Sequence, residues 1–125
     1  MRVLVVFAHP DPESFGHAVY RCLVDALGAA GHEVRPLDLY RIGFDPVLNV
    51  EHRRDYHTPE VNETHVADQL DHIRWAEGLI LVYPTWWYSQ PAMLKGWIDR
   101  VWCRSPPSSC REGCSRFGGA CATSA

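Results

Sequence analysis

The residues best suited to chemistry lie in two loops, and each loop follows an apolar segment. The first loop reads AHPDPESFGHA from Ala8 to Ala18 and offers an imidazole at His9 and a hydroxyl at Ser14. A loop that enters a helix exposes unpaired backbone N–H groups at the positive end of the helix dipole, where phosphate binds well. The same residues also suit a plain structure, with a turn at His9 and a helix cap at Ser14.

The second loop reads YPTWWYSQPA from Tyr83 to Ala92 and holds three consecutive aromatic residues between two prolines. Flat aromatic side chains beside free backbone N–H groups suit a flat, heteroatom-rich ring such as a flavin. Taken alone, an aromatic cluster is more often part of a core or an interface.

Apolar patterns place both loops on one parallel sheet. A continuous apolar run over 2–8 predicts a buried strand, helical spacing predicts a helix over 15–30, and alternation predicts a second strand over 32–39. A third strand over 79–83 and a helix over 91–101 follow. In the strand order 2-1-3, strands one and three flank the topological switch point, so we expect both loops to line one crevice.

The other segments carry weaker patterns. Residues 40–62 have no clear period and predict an irregular stretch, either a binding loop or a solvated one, whereas 63–77 return to helical spacing. Cys22 is expected to be a small buried hydrophobe. His65 and His72 are expected on one helix face. The histidines other than His9 are predicted to be solvated, with no metal site: His17, His32, His52, His57, His65 and His72.

The composition limits the class of protein. A chain of 125 residues with a net charge of −3 indicates one domain and gives no reason to expect nucleic acid or an anionic membrane as a partner. We find no apolar run long enough for a membrane span, and the N-terminus is too short and ends wrongly for a secretory signal. A cytoplasmic location is therefore expected.

The composition changes after Trp102. The segment CRSPPSSCREGCSRFGGACATSA is rich in Ser, Gly, Cys, Pro and Arg, and its cysteines form no C-x-x-C pair. It cannot bury enough apolar surface to offset the entropy of ordering it. We predict that 103–125 is disordered.

Together, AHPDPESFGHA and YPTWWYSQPAMLKGWIDRVW resemble the motifs of the NAD(P)H:quinone oxidoreductases over roughly residues 2–102. The resemblance implies an α/β, flavodoxin-like, doubly wound parallel sheet that binds a flavin, usually FAD, with FMN as the alternative. It also implies two-electron hydride transfer from NAD(P)H through the flavin to a quinone or a similar small acceptor. The family's subunits form a homodimer whose interface completes each site.

The resemblance assigns roles by position. The matches to the family's phosphate loop are His9, Ser14, Phe15 and Gly16. The last of these stands where the family usually has Asn, so one side-chain donor is missing. The matches to the loop along the isoalloxazine ring are Pro84, Thr85, Trp86, Trp87 and Tyr88. The backbone amides of Trp87 and Tyr88 would lie near the reactive edge of the flavin.

The resemblance stops at Trp102. Family members continue with strands 4 and 5, a third flavin loop, and the Tyr and His implicated in stabilising reduced flavin, so the catalytic residues are expected in a C-terminal half. We therefore expect 1–102 to be the N-terminal part of a flavin-binding domain with an incomplete sheet, truncated or shifted in reading frame from Cys103. The third strand would then be an uncovered edge.

Weak flavin binding and poor turnover follow from that expectation. Two alternatives remain: an electron carrier of flavodoxin type, and an inactive fragment that acts only as a binding partner. The HPDPES loop favours the enzyme over the carrier, because long-chain flavodoxins have a phosphate loop rich in Ser and Thr.

Overall fold

A computed structural model describes residues 1–56 and 58–102 of the chain, and the predicted disorder of 103–125 lies outside them. The described residues form a parallel sheet with helices on both faces. The elements in chain order are β1 (Arg2–Phe7), α1 (Phe15–Ala29), β2 (Glu33–Asp38), α2 (Val50–Asp55), α3 (Pro59–Thr64), α4 (Ala67–Trp75), β3 (Gly78–Val82) and α5 (Ala92–Val101).

β1 is the central strand of the sheet. It pairs in parallel with β2, with Val3 opposite Val34, and with β3, with Val3 opposite Gly78. The order β2-β1-β3 confirms the prediction from the sequence. Residues 3–7 of β1 are almost completely buried, as expected for a parallel strand covered on both faces. Within the described residues, β3 is an edge strand.

Alternate residues of β1 face two separate cores. Val5 and Phe7 pack against α1 at Tyr20, whereas Leu4 and Val6 face α4 and α5. The largest residue of the second core is Trp97, whose ring is fully buried and whose Nε1 donates to Gln69 Oε1 at 3.1 Å. The polar end of the buried indole thereby keeps a hydrogen bond.

The buried face of α1 explains why one prediction was wrong. The residues that pack on the sheet are Tyr20, Leu23, Val24 and Leu27. They follow the helical period, and Cys22 falls outside the stripe that this period places against the sheet. Cys22 is therefore exposed rather than buried.

The segment between β2 and β3 also differs from its prediction. Residues 40–62 are not wholly irregular, because they contain α2 and most of α3, each of six residues. Helices of six residues are too short to show a helical spacing of apolar residues in the sequence. The helix predicted over 63–77 begins only at Ala67, since Val66 has φ −137° and ψ 26°. His65 and His72 consequently lie on different elements, and the expectation that they share a helix face was wrong.

A part of this segment crosses α5, and we call residues 45–56 the strap. Pro46 lies so close to Gly96 that a Cβ atom at position 96 would be 2.7 Å from Pro46 Cα. The guanidinium of Arg100 donates to the carbonyl oxygen of Asp45. Glycine in the middle of α5 thus permits close contact between the strap and the helix. Among the helices of the described residues, none is long and apolar enough to cross a bilayer.

Candidate flavin site

The two predicted loops meet at the carboxyl edge of the sheet. His9 follows β1 and Trp86 follows β3, and their ring centroids are 6.0 Å apart with an interplanar angle of 59°. The backbone N–H of Ala8 donates to the carbonyl oxygen of Val82 at 3.1 Å, which extends the pairing of the two strands to the start of the loops. The convergence predicted from the strand order is therefore present.

Asp11 organises the first loop. Its backbone N–H donates to His9 Nδ1 at 3.0 Å, its carbonyl oxygen accepts from Ser14 Oγ at 2.8 Å, and its carboxylate accepts from the N–H of Glu13 at 2.8 Å. Sequence reasoning missed this role. The signal was there, because an Asp before Pro is typical of turns in which the side chain bonds to the backbone.

The hydrogen bonds of the first loop indicate which ring nitrogen of His9 carries the proton. His9 Nδ1 lies 3.0 Å from the backbone nitrogen of Asp11 and 3.2 Å from its carbonyl oxygen. Because the shorter contact is with a donor, which requires Nδ1 to accept, we assign the proton of the neutral imidazole to Nε2. The ring stacks on Phe7, with centroids 6.4 Å apart and an interplanar angle of 17°. His9 therefore keeps one N–H donor, Nε2–H, at the place where the loops meet.

Ser14 acts as the cap of α1. Its Oγ accepts from the N–H of His17 at 3.2 Å and donates to the carbonyl oxygen of Asp11, so its proton is already engaged. The backbone N–H groups of Phe15 and Gly16 begin the helix, and no acceptor for them exists among the described residues. The capacity to bind an anion here lies with these backbone amides rather than with the hydroxyl.

Gly16 leaves room beside those amides. A Cβ atom at this position would lie 3.8 Å from His9 Cδ2 and 3.8 Å from Ser14 Oγ, which are ordinary contact distances. The first atom of a larger side chain would fit without displacing either neighbour. The side chain of Phe15, also predicted to belong to the site, is exposed.

A tight turn shapes the second loop. Trp86 and Ser89 exchange two backbone hydrogen bonds, each of 3.0 Å, and the residues between them have positive φ, 48° at Trp87 and 61° at Tyr88. Positive φ at both central positions defines a type I′ turn, which normally uses Asn-Gly. Bulky residues in this region cost on the order of 1–3 kcal/mol each, and such strain concentrates at functional sites.

Both the aromatic side chains and the central backbone N–H groups of the turn are exposed. Trp87 is 94% exposed and Tyr88 98% exposed, and Trp86 is partly exposed. Their neighbours Pro84 and Thr85 link β3 to the turn, the first half-buried and the second exposed. In the described part of the chain, the N–H groups of Trp87 and Tyr88 have no hydrogen-bond acceptor. The turn thus presents adjacent donors beside aromatic surface.

The electrostatics beneath the first loop favour a neutral phenol. Tyr20 stacks on Phe7 at 4.5 Å, and burial, followed by the nearby Asp38 carboxylate, raises its pKa. Within residues 1–56 and 58–102, the structure contains no cluster of three or more His, Cys, Asp or Glu side chains that could hold a metal ion. The donors at the site are therefore mainly backbone N–H groups, which suit phosphate and ring heteroatoms.

Known proteins are similar to this chain in sequence and in fold. The family model for the flavodoxin-like fold matches residues 1–105. A ribosyldihydronicotinamide dehydrogenase-like protein of Penicillium crustosum is 35% identical, over 82% of this chain and 44% of that protein. Human ribosyldihydronicotinamide dehydrogenase (quinone) is 34% identical, over 82% of this chain and 52% of the human protein.

A solved structure is also similar to this chain. The NAD(P)H:quinone oxidoreductase from Methanothermobacter marburgensis is 37% identical and superimposes with a TM-score of 0.72, over 82% of this chain and 53% of that one. The chain spans about half the length of the curated relatives that it matches. The chain therefore belongs to the family with the flavodoxin-like fold, and it is similar in sequence and in fold to NAD(P)H:quinone oxidoreductases.

Proposed function

We propose that this protein is a flavin-dependent NAD(P)H:quinone oxidoreductase and that its flavin lies between the loops after β1 and β3. The convergence of His9 and Trp86, 6.0 Å apart, carries the proposal. A bound flavin supplies the chemistry by accepting a hydride from NAD(P)H and passing two electrons to a quinone.

The first loop binds the phosphate end of the cofactor. The unpaired N–H groups of Phe15 and Gly16 lie at the positive end of the dipole of α1, a helix of 15 residues. His9 adds its Nε2–H, and Ser14 holds the helix end in place. Because these donors are mostly main-chain groups, binding depends on the conformation of the loop more than on its side chains.

The turn at Trp86–Ser89 holds the ring end of the cofactor. The N–H groups of Trp87 and Tyr88 donate to ring heteroatoms, and the fixed turn keeps them oriented before binding. Donors held in place favour negative charge on the atom that they bond, with no reorganisation during the reaction. The aromatic side chains of the turn would supply apolar surface beside the ring of a bound flavin.

The family resemblance supports the finer points of the proposal. FAD is proposed as the cofactor, with FMN as the alternative, and a homodimer would cover the exposed rings of Trp87 and Tyr88. A quinone or a similar small acceptor is the proposed substrate, and the proposed location is the cytoplasm.

Titration of the purified 125-residue chain with FAD, FMN and riboflavin tests the binding mode. If the first loop binds phosphate, riboflavin binds more weakly than FMN and FAD. Gly16→Asn should strengthen binding of the phosphorylated flavins, because it adds a donor where a Cβ atom fits at ordinary contact distances. Gly28→Asn, on the exposed side of α1, serves as the control. Equal affinity for all three flavins would contradict the proposed site.

Anaerobic mixing of the flavin-loaded chain with NADH or NADPH tests the reaction. Direct loss of the oxidised flavin absorbance, followed by its return on addition of a quinone, supports the enzyme. Flavin that binds but is not reduced by either nicotinamide would indicate the electron carrier instead. A chain that binds none of the flavins would indicate a partner protein without redox activity.

A further inference from the structure

The strap, residues 45–56, makes a polar contact near each of its ends, one with α5 and one with Trp102, the residue that follows α5. At its start, the guanidinium of Arg100 donates to the carbonyl oxygen of Asp45, and Arg100 as a residue is only 7% exposed. At its other end, the hydroxyl of Tyr56 donates to the carbonyl oxygen of Trp102 at 3.3 Å. The position of the strap on α5 therefore depends on a buried cation.

Two histidines lie close together here, His52 within the strap and His65 beside it. The ring of His52, on α2, is 4.3 Å from the ring of His65, at the end of α3. His65 Nε2 lies 2.9 Å from Asp55 Oδ2, a contact that ties α3 to α2. The Nδ1 atom of His52 is buried, and no partner for it exists in the described part of the chain.

The surroundings of His52 oppose its protonation. Burial lowers the pKa of His52 first, the Arg100 guanidinium lowers it second and His65 third, while the carboxylates of Glu51 and Asp45 offset part of this effect. A protonated ring would carry a buried N–H without an acceptor among the described residues, and the Arg100 guanidinium would repel its positive charge. Such an arrangement costs free energy for as long as the strap stays on α5.

We propose that His52 is an acid-sensitive latch, whose protonation detaches the strap from α5 while the parallel sheet stays folded. A detached strap exposes the imidazole to water, so it takes up a proton more readily than the attached strap does. The stabilisation is complete above the ordinary pKa of histidine, about 6.5, and is lost as the pH falls below it. The contact between His65 Nε2 and Asp55 Oδ2 joins α2 to α3 and does not hold either helix to α5.

Hydrogen exchange of the full chain, measured at several pH values and corrected for intrinsic exchange rates, tests the latch. Between about pH 7.5 and 5.5, amides of 49–56 should lose protection by up to about tenfold per pH unit once the pH is below about 6.5. Amides of β1 should keep theirs. Strap protection that does not change over this range would overturn the proposal.

Substitution assigns the effect to one ring. His52→Gln is polar but cannot become charged, so the pH dependence of strap protection should disappear, whereas His32→Gln, on a different part of the chain, should leave it intact. Retention of the full dependence in His52→Gln would overturn the proposal. Should that variant fold poorly, the ring NMR titration of wild-type His52 decides: a pKa at or above the ordinary value refutes the latch.

Discussion

Pro46 touches the backbone of α5 at Gly96, and a Cβ atom at position 96 would lie 2.7 Å from Pro46 Cα and still closer to its carbonyl oxygen. Glycine inside a helix costs roughly 0.5–1 kcal/mol relative to alanine. Here the absence of a side chain allows the strap to lie directly against α5, the helix that begins where the proposed ring-binding loop ends.

Replacing this glycine should therefore destabilise the protein. Gly96→Ala forces the strap away from α5, and we expect the free energy of unfolding in urea to fall by about 1–3 kcal/mol. Gly28→Ala is the matched control, since a Cβ atom at position 28 would meet nothing within 4 Å and helix propensity should raise stability by about 0.5–1 kcal/mol. If the two substitutions changed the free energy of unfolding equally, the contact between Pro46 and α5 would not require glycine at position 96.

Two substitutions of Ser14 separate helix capping from phosphate binding. Ser14→Ala removes the acceptor for the His17 N–H and should lower the unfolding free energy by about 1 kcal/mol. Ser14→Asp keeps a capping oxygen but adds negative charge, so stability should hold while affinity for FMN and FAD falls. Riboflavin titration is the control, because it has no phosphate to repel. A similar loss of riboflavin affinity in Ser14→Asp would contradict this placement of the phosphate.

The turn after β3 should gain stability from residues that suit its backbone. Trp87→Asn combined with Tyr88→Gly places the favoured Asn-Gly pair at φ 48° and 61°, and we expect the free energy of unfolding without flavin to rise by about 1 kcal/mol or more. Trp87→Phe keeps a bulky residue in the same conformation and should change little. An unchanged or lower stability of the double variant would mean that the turn adopts another conformation in solution.

Tyr20 gives the protein a sensitivity to alkaline pH. Its pKa is raised in the folded state, by burial and then by Asp38, so the unfolded state loses the proton first as the pH increases. The stabilisation is complete below the ordinary tyrosine pKa, about 10, and is lost as the pH rises through the folded value. Urea unfolding between about pH 9 and 11 should show this loss in wild type and in Tyr88→Phe, whose side chain is 98% exposed, but not in Tyr20→Phe. An identical decline in Tyr20→Phe would assign it to other groups.

The sequence was sufficient to predict the sheet and the meeting of the two loops. β1 and β3 are short apolar runs bounded by turn residues, and the helices that follow them have strong periods and starts at Ser14 and Pro91. Once two parallel strands are adjacent, the loops at their carboxyl ends must be neighbours, so the contact between His9 and Trp86 follows from topology.

The geometry inside the site was not predictable from local patterns. Nothing in Trp-Trp-Tyr-Ser indicates a type I′ turn, because its central residues oppose positive φ and the conformation depends on the rest of the fold. The engagement of the Ser14 hydroxyl by Asp11 was missed for a similar reason, since both roles of a serine at a helix start have the same sequence signature. α2 and α3 were missed because six residues are too few to show a period.

The central position of β1 also bears on how the protein is made. β1 is synthesised before both of its hydrogen-bonded neighbours, and β3 follows only when the ribosome reaches Gly78–Val82. Until then one edge of β1 is unpaired, and the apolar run from Val3 to Phe7 is available to chaperones or to other nascent chains. Nascent chains that stall between β2 and β3 would expose this unpaired apolar strand. The speed of translation through this interval should therefore influence the yield of folded protein.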